Sequence, residues 1–229
     1  MHSIRLLRAA RWTALTCLAT SLAPTAHAQI ALSEVFYDAT GSDGGREWIE
    51  LMNLSDAPVD LGSFSLGWGG ANYLSGGLAL AGVVAPGDVF VVGGPLSEAA
   101  NANPVFDLAV DLAPDLQNGG ATADGVALFD VTAEELLEET IPLDTVLYGE
   151  TNDSGLLGPL GVPSVVHVAD APGGSSIERG VDGIWRVQEF PTPGARPVPE
   201  PSGAARGLAG LAALSVRLVR RTRAAHSRS

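Results

Sequence analysis

The sequence predicts an all-β domain, a sandwich or a barrel, carrying one short helix. Three observations point there. Apolar runs of four to eight residues recur through the body of the chain. Between them lie clusters such as Gly41-Ser42-Asp43-Gly44-Gly45, Ala85-Pro86-Gly87-Asp88 and Gln117-Asn118-Gly119-Gly120, in which Gly supplies positive φ and Asn or Asp caps the turn. No long amphipathic helix separates the runs, so the pattern is that of stacked strands rather than of βαβ units.

Strands are expected at 30–37, 47–53, 59–66, 89–92, 106–112, 125–129, 145–148, 165–168 and 184–187. Trp48 in the second is well placed as a core aromatic. In 59–66, Phe64 and Leu66 mark the apolar face and Leu61 falls out of phase, so a bulge near Gly62 is expected to restore it. The helix is expected at 133–139, where Thr132 and Glu135 form a capping box before good helix formers. It is expected to bridge two strands at the edge of the domain.

Charge divides the chain into three parts. All 13 basic residues are arginine, and all 26 acidic residues lie between Glu34 and Glu200. The middle holds 26 acids against four arginines (Arg46, Arg179, Arg186, Arg196), a formal charge of −22. Residues 1–28 read as a secretory signal peptide: a positive start, an apolar stretch from Trp12 to Leu22, and a small-x-small cleavage site at Ala26 and Ala28. Cleavage there leaves Gln29 first. Cys17, the single cysteine, departs with the signal, so the mature chain forms no disulfide and depends on an ordinary core. Residues 29–196 are long enough for one domain, and 197–229 form a tail.

Several motifs of the body resemble a known family. Ile30-Ala31-Leu32-Ser33-Glu34-Val35, then Glu47-Trp48-Ile49-Glu50-Leu51-Met52-Asn53, then Val59-Asp60-Leu61-Gly62-Ser63-Phe64-Ser65-Leu66 are similar to the opening of a lamin-tail domain. Ala85 to Val92, Gly125 to Asp130, Asp144 to Gly149, Ser175 to Arg179 and Pro191 to Ala195 fit its later elements in order. The stretch from Gly155 to Asp170 has no counterpart and reads as an insertion. The resemblance implies an immunoglobulin-like β-sandwich and offers no catalytic acid pair.

The last 33 residues resemble a PEP-CTERM sorting tail: Pro199-Glu200-Pro201, an apolar stretch, then Arg220, Arg221 and Arg223. That resemblance implies recognition by an exosortase-type enzyme, after signal peptidase has acted at the other end. Arg206 and Arg217 interrupt the apolar stretch and leave it short for a membrane span. Membrane contact is expected only through the termini.

Chemistry is sparse in the body. His167 is its only histidine, three residues before Asp170; a Ser-His-Asp triad is conceivable, but the nucleophile elbow G-x-S-x-G is missing. Glu47 and Glu50 stand three apart on a strand and point to opposite faces, and Glu134, Glu135, Glu138 and Glu139 read as a solvated face. No cofactor is expected. Calcium is the favoured ion if one binds, at Asp38, Asp43 and Glu47 around a Gly-rich loop, with Asp107, Asp111 and Asp115 as a second acidic series. Neither series fits an EF-hand, and the competing reading is turn-forming, solubilising aspartate. The charge balance excludes nucleic acid as a partner. Trp68 and Tyr73 suit a glycan-stacking patch or, more simply, a core or edge role.

The expectation is an exported, non-catalytic module of the cell surface or extracellular matrix, with a protein or polysaccharide ligand. The alternatives are a secreted hydrolase using acidic residues, with or without calcium, and a structural matrix protein that assembles with itself through a sheet edge.

Overall fold

The computed structural model describes residues 29–196. The signal cleavage residues Ala26 and Ala28, and the tail residues Pro199, Glu200, Pro201, Arg220, Arg221 and Arg223, lie outside the described residues.

The chain forms an immunoglobulin-like sandwich of two main sheets. Its strands in order are β1 (Ile30–Phe36), β2 (Trp48–Asn53), β3 (Val59–Asp60), β4 (Ser65–Gly69), β5 (Gly76–Ala79), β6 (Val83–Val84), β7 (Val89–Gly93), β8 (Leu108–Ala109), β9 (Asp124–Phe129), β10 (Asp144–Tyr148), β11 (Ser176–Arg179) and β12 (Trp185–Gln188). The first sheet runs β12-β11-β1-β2-β7-β8 and the second β10-β9-β4-β5; β3 and β6 form a small separate pair. All pairings are antiparallel except β7 with β8.

Between the sheets lie Ile30, Leu32 and Val35 of β1, Ile49 and Leu51 of β2, Leu66 and Trp68 of β4, Val126 and Leu128 of β9, and Val146 and Tyr148 of β10. Tyr37 stacks on Tyr148 with ring centroids 4.0 Å apart, joining the two sheets. The outer faces are covered as well. Phe36 stacks on Trp48 at 5.6 Å outside the first sheet, with Val91 and Ala39. Tyr73, Phe129, Leu147 and Leu156 pack outside the second. Strands buried on both faces read as continuous apolar runs rather than alternating ones, the pattern seen in the sequence.

The register of β1 carries a shift between Leu32 and Glu34. Without it, Val35 would face away from Leu32, because side chains alternate along a strand. The extra residue, Ser33, returns Val35 to the core opposite Ile49 and sends Glu34 to the outer face opposite Glu50.

Several elements differ from expectation. The strand foreseen at 59–66 is broken by a 3-10 turn at Leu61–Ser63, in which the Asp60 carboxylate accepts from Gly62 N–H at 3.0 Å. This turn, and not a bulge, returns both Leu61 and Leu66 to the core. The helix foreseen at 133–139 is one 3-10 turn, Ala133–Glu135. The Thr132–Glu135 capping box forms, but the turn buries no residue and so has no apolar face to extend it. The strand at 106–112 shrinks to β8, and 165–168 contributes only a bridge between Val168 and Tyr148. β5, β6 and β11 are additional. β5 eludes a hydrophobicity pattern because Gly76 and Gly77 open it. Gly76 faces Trp68 across the pair, and a Cβ there would lie 2.1 Å from the indole ring. We therefore expect Gly76→Ala to lower stability by about 1–3 kcal/mol, as overpacking does, read as a fall in the thermal midpoint of residues 29–196.

Candidate functional site

The seven-residue motif at 47–53 is used for structure at almost every position. Trp48 Nε1–H donates to the Asn101 carbonyl at 3.2 Å. Asn53 Nδ2 donates to the Ala57 and Val84 carbonyls, and its Oδ1 accepts from Ser55, which clamps the turn after β2. Ile49 and Leu51 fill the core between these clamps.

At one end of the sandwich the structure draws Asp38, Asp43, Glu47, Asp111, Asp115 and Asp170 into a shared negative field. Burial raises the Glu47 carboxyl to about 9, and Asp115, Asp43 and Asp111 add to the shift. Burial and then Asp43 and Asp170 push Asp38 up in the same direction. Glu47 Oε2 accepts from Leu116 N–H at 2.8 Å, and its Oε1 is buried without a partner. Asp43 Oδ1 accepts from Ala39 N–H at 2.8 Å and Oδ2 from Asn118 at 3.3 Å, while Asp111 accepts from Gly45 N–H. These carboxylates thus brace the loops against one another. Among the described residues, no three Asp, Glu, His or Cys side chains stand in an arrangement that could hold a metal ion. The trio Asp38, Asp43 and Glu47 shares one end of the fold without forming such a set. Asp107, of the second acidic series, accepts from Val91 N–H.

A second group of acids lies outside the first sheet. Glu34 and Glu50 are cross-strand partners, each 1% exposed. The segment that follows β12 crosses over them. Thr192 gives its N–H and hydroxyl to Glu34, each at 3.0 Å, and Gly194 N–H donates to Glu50 at 2.7 Å. Ser176 and Ser33 hydroxyls complete the two carboxyls. Burial raises Glu34 to about 7 and Glu50 to about 8, and each adds to this through its acidic neighbours, Glu178 beside both and Glu34 beside Glu50. Sealed under the strap, these carboxyls are placed to hold the end of the domain and not to meet a substrate.

His167 has Ser164 Oγ 3.2 Å from its Nε2. Asp170 does not join them: its Oδ1 accepts from the Tyr37 hydroxyl at 2.8 Å, and that hydroxyl in turn accepts from Ala171 N–H. The Ser-His-Asp set is therefore not assembled at these residues. Burial first, then the Arg179 charge, pushes the imidazole below its ordinary range, with a weaker opposing pull from the Thr145 backbone. Trp68 and Tyr73 are buried and tied to the Pro114 and Leu157 carbonyls, so they take the core role and not a stacking one.

Two layers of antiparallel strands with side-chain clamps at the turns define an immunoglobulin-like β-sandwich. The Lamin Tail Domain family matches residues 23–148, more than half of the chain, and the chain belongs to that family. Comparison with curated proteins gives no match. The family match ends at Tyr148; β11 and β12 lie beyond it, yet complete the first sheet beside β1.

The raised carboxyls set a pH dependence. A group whose folded value lies above its unfolded one, here 4.5, stabilises the fold while protonated, and that contribution is lost as pH rises through the folded value. The loss sets in above 4.5, as the unfolded chain gives up its protons, and is complete at about 7 for Glu34, about 8 for Glu50 and about 9 for Glu47. His167, pushed down, acts in the opposite sense below its ordinary value of 6.5, so the carboxyl effect is read above that pH. Above pH 6.5 the thermal midpoint is expected to fall, most steeply at first and levelling off near pH 9, and Glu50→Gln, which keeps a neutral side chain under the strap, is expected to make the fall below about pH 8 shallower.

Proposed function

We propose that this chain is an exported, non-catalytic sandwich module that makes contacts at the cell surface or in the extracellular matrix. The observation that carries the reading is the partition of charge: arginines at both ends, with every acid between Glu34 and Glu200. Basic segments that stay on the cytoplasmic side and an acidic segment that crosses fit a secretory route. The order Pro199-Glu200-Pro201, apolar stretch, Arg220-Arg221 supports handling by an exosortase-type enzyme after signal peptidase. The domain itself supports an interaction role over a catalytic one. Its buried carboxyls are engaged in bracing strands and loops, and Asp170 is held by Tyr37 away from the Ser164–His167 pair. Fold alone does not decide activity, so the bracing of these groups matters more than the family.

Cell fractionation with intact-mass measurement of the protein from its native host tests this reading. The expected result is a polypeptide beginning at Gln29, found outside the cytoplasm. A full-length chain, still starting at Met1 and confined to the cytoplasm, would overturn it.

A further inference from the structure

The strap over Glu34 and Glu50, residues 189–196, is held down largely by those two carboxyls. None of its residues is buried, and Phe190 is 74% exposed. It therefore has no apolar anchor. Three of its hydrogen bonds reach the sheet, and all three end on titratable side chains: Thr192 N–H and hydroxyl on Glu34, and Gly194 N–H on Glu50. Beyond them, Arg196 forms an ion pair with Asp88 in which both side chains are more than half exposed, and such pairs contribute little. The bond from Ala195 N–H to the Thr192 carbonyl closes a turn within the strap itself. A segment with so few buried contacts opens locally before the domain unfolds.

The closed geometry suits neutral carboxyls. Glu34 Oε1 and Glu50 Oε2 take the backbone N–H groups. Glu34 Oε2 faces the Thr192 hydroxyl and Glu50 Oε1 the Ser33 hydroxyl. A hydroxyl accepts as well as donates, so each acid proton has an acceptor at hand. Ionised, the two glutamates would stand as cross-strand neighbours, with Glu178 on the far side of Glu34. That is a row of three negative charges across β2, β1 and β11. Like charges directly opposite are destabilising, and charges taken out of water cost more still.

The bordering segments carry charge of both signs. Arg186, opposite Glu178 on β12, also serves Asp182, and Arg196 serves Asp88. Glu189 on the strap and Asp107, which lies beside Gly194, are negative. Across from Glu50, β7 presents the apolar Val91. Burial raises both carboxyls although their hydrogen-bond donors pull the other way. Ionisation thus works against closure, and opening, which returns the carboxyls to water, works with it.

We propose that residues 189–196 form a proton-controlled latch, closed while Glu34 and Glu50 are neutral and released locally, ahead of global unfolding, when they ionise. The strap leads from the domain into 197–229, so two side chains in the sheet set how firmly that junction is held. The latch is independent of where the protein resides and stands or falls separately from the export reading.

Hydrogen exchange of the purified full chain tests the latch. It is read by mass spectrometry on peptides covering 189–196 and corrected for the intrinsic pH dependence of amide exchange. Protection of the strap is expected to fall by about tenfold or more between about pH 5.5 and pH 8, because each carboxyl links opening to one proton. Peptides from β9 and β10 are expected to keep their protection. Glu34→Gln combined with Glu50→Gln holds both side chains neutral and is expected to abolish the fall. Thr192→Ala, a change on a segment with no buried residue, is expected to lower strap protection about fivefold at pH 5.5, as loss of one hydrogen bond does. Strap protection that stays level or rises with pH overturns the proposal. So does a fall shared equally by β9 and β10, which marks global unfolding, and so does a folded double variant that keeps the parent's slope. Should the double variant fail to fold, the parent's slope and Thr192→Ala decide, and unchanged strap protection in Thr192→Ala overturns the latch.

Discussion

The fold depends on burying β1 on both faces. This strand lies between β2 and β11 in the first sheet and has its apolar side chains in the core. Its other face presents Glu34, directly between Glu50 and Glu178 of the flanking strands. A row of carboxyls across a sheet is repulsive when ionised and costly when dry. The structure meets both problems with donors from the strap and from serines, and with pKa values raised so that protons are retained. The first strand is thereby bound to the C-terminal part of the domain: β11 and the strap must be in place before β1 is fully covered.

The same logic runs through the rest of the domain. Asp144 holds the edge of the second sheet to the first, taking the Leu32 N–H on one side and Arg179 on the other. Asp43, Asp111 and Glu47 brace the loops at one end. An acidic composition thus serves two purposes. Exposed carboxylates keep the surface charged, and buried ones act as acceptors for backbone N–H groups that no strand neighbour satisfies.

This division explains how legible the chain was. Strands rich in large apolar residues, such as β1, β2, β9 and β10, announce themselves because they are buried on both sides. β5 does not, since it sets Gly76 against Trp68 and Gly77 against Gly67 and leaves no hydrophobic pattern to read. β8 is weak for a different reason: only two residues pair, and in parallel, with β7. The capping box at Thr132 was visible, but a cap starts a helix without supplying the buried face that prolongs one. The lamin-tail family was legible from the 47–53 motif, although the chemistry of that motif is structural.

Local pattern sufficed for the all-β class, the core aromatics and the sharp separation of charge along the chain, because each of these depends on residue type and short-range period alone. Which acids are buried, which neighbour each carboxyl meets, and that Thr192 and Gly194 lie over Glu34 and Glu50 all came from packing. These donors and acceptors are 158 and 144 positions apart in the chain, and only the pairing of β1 with β11 and of β11 with β12 brings them together. The phase of β1 is the smallest instance: one added residue at Ser33 decides that Val35 enters the core and Glu34 leaves it, and no alternation along the strand specifies where such a shift falls.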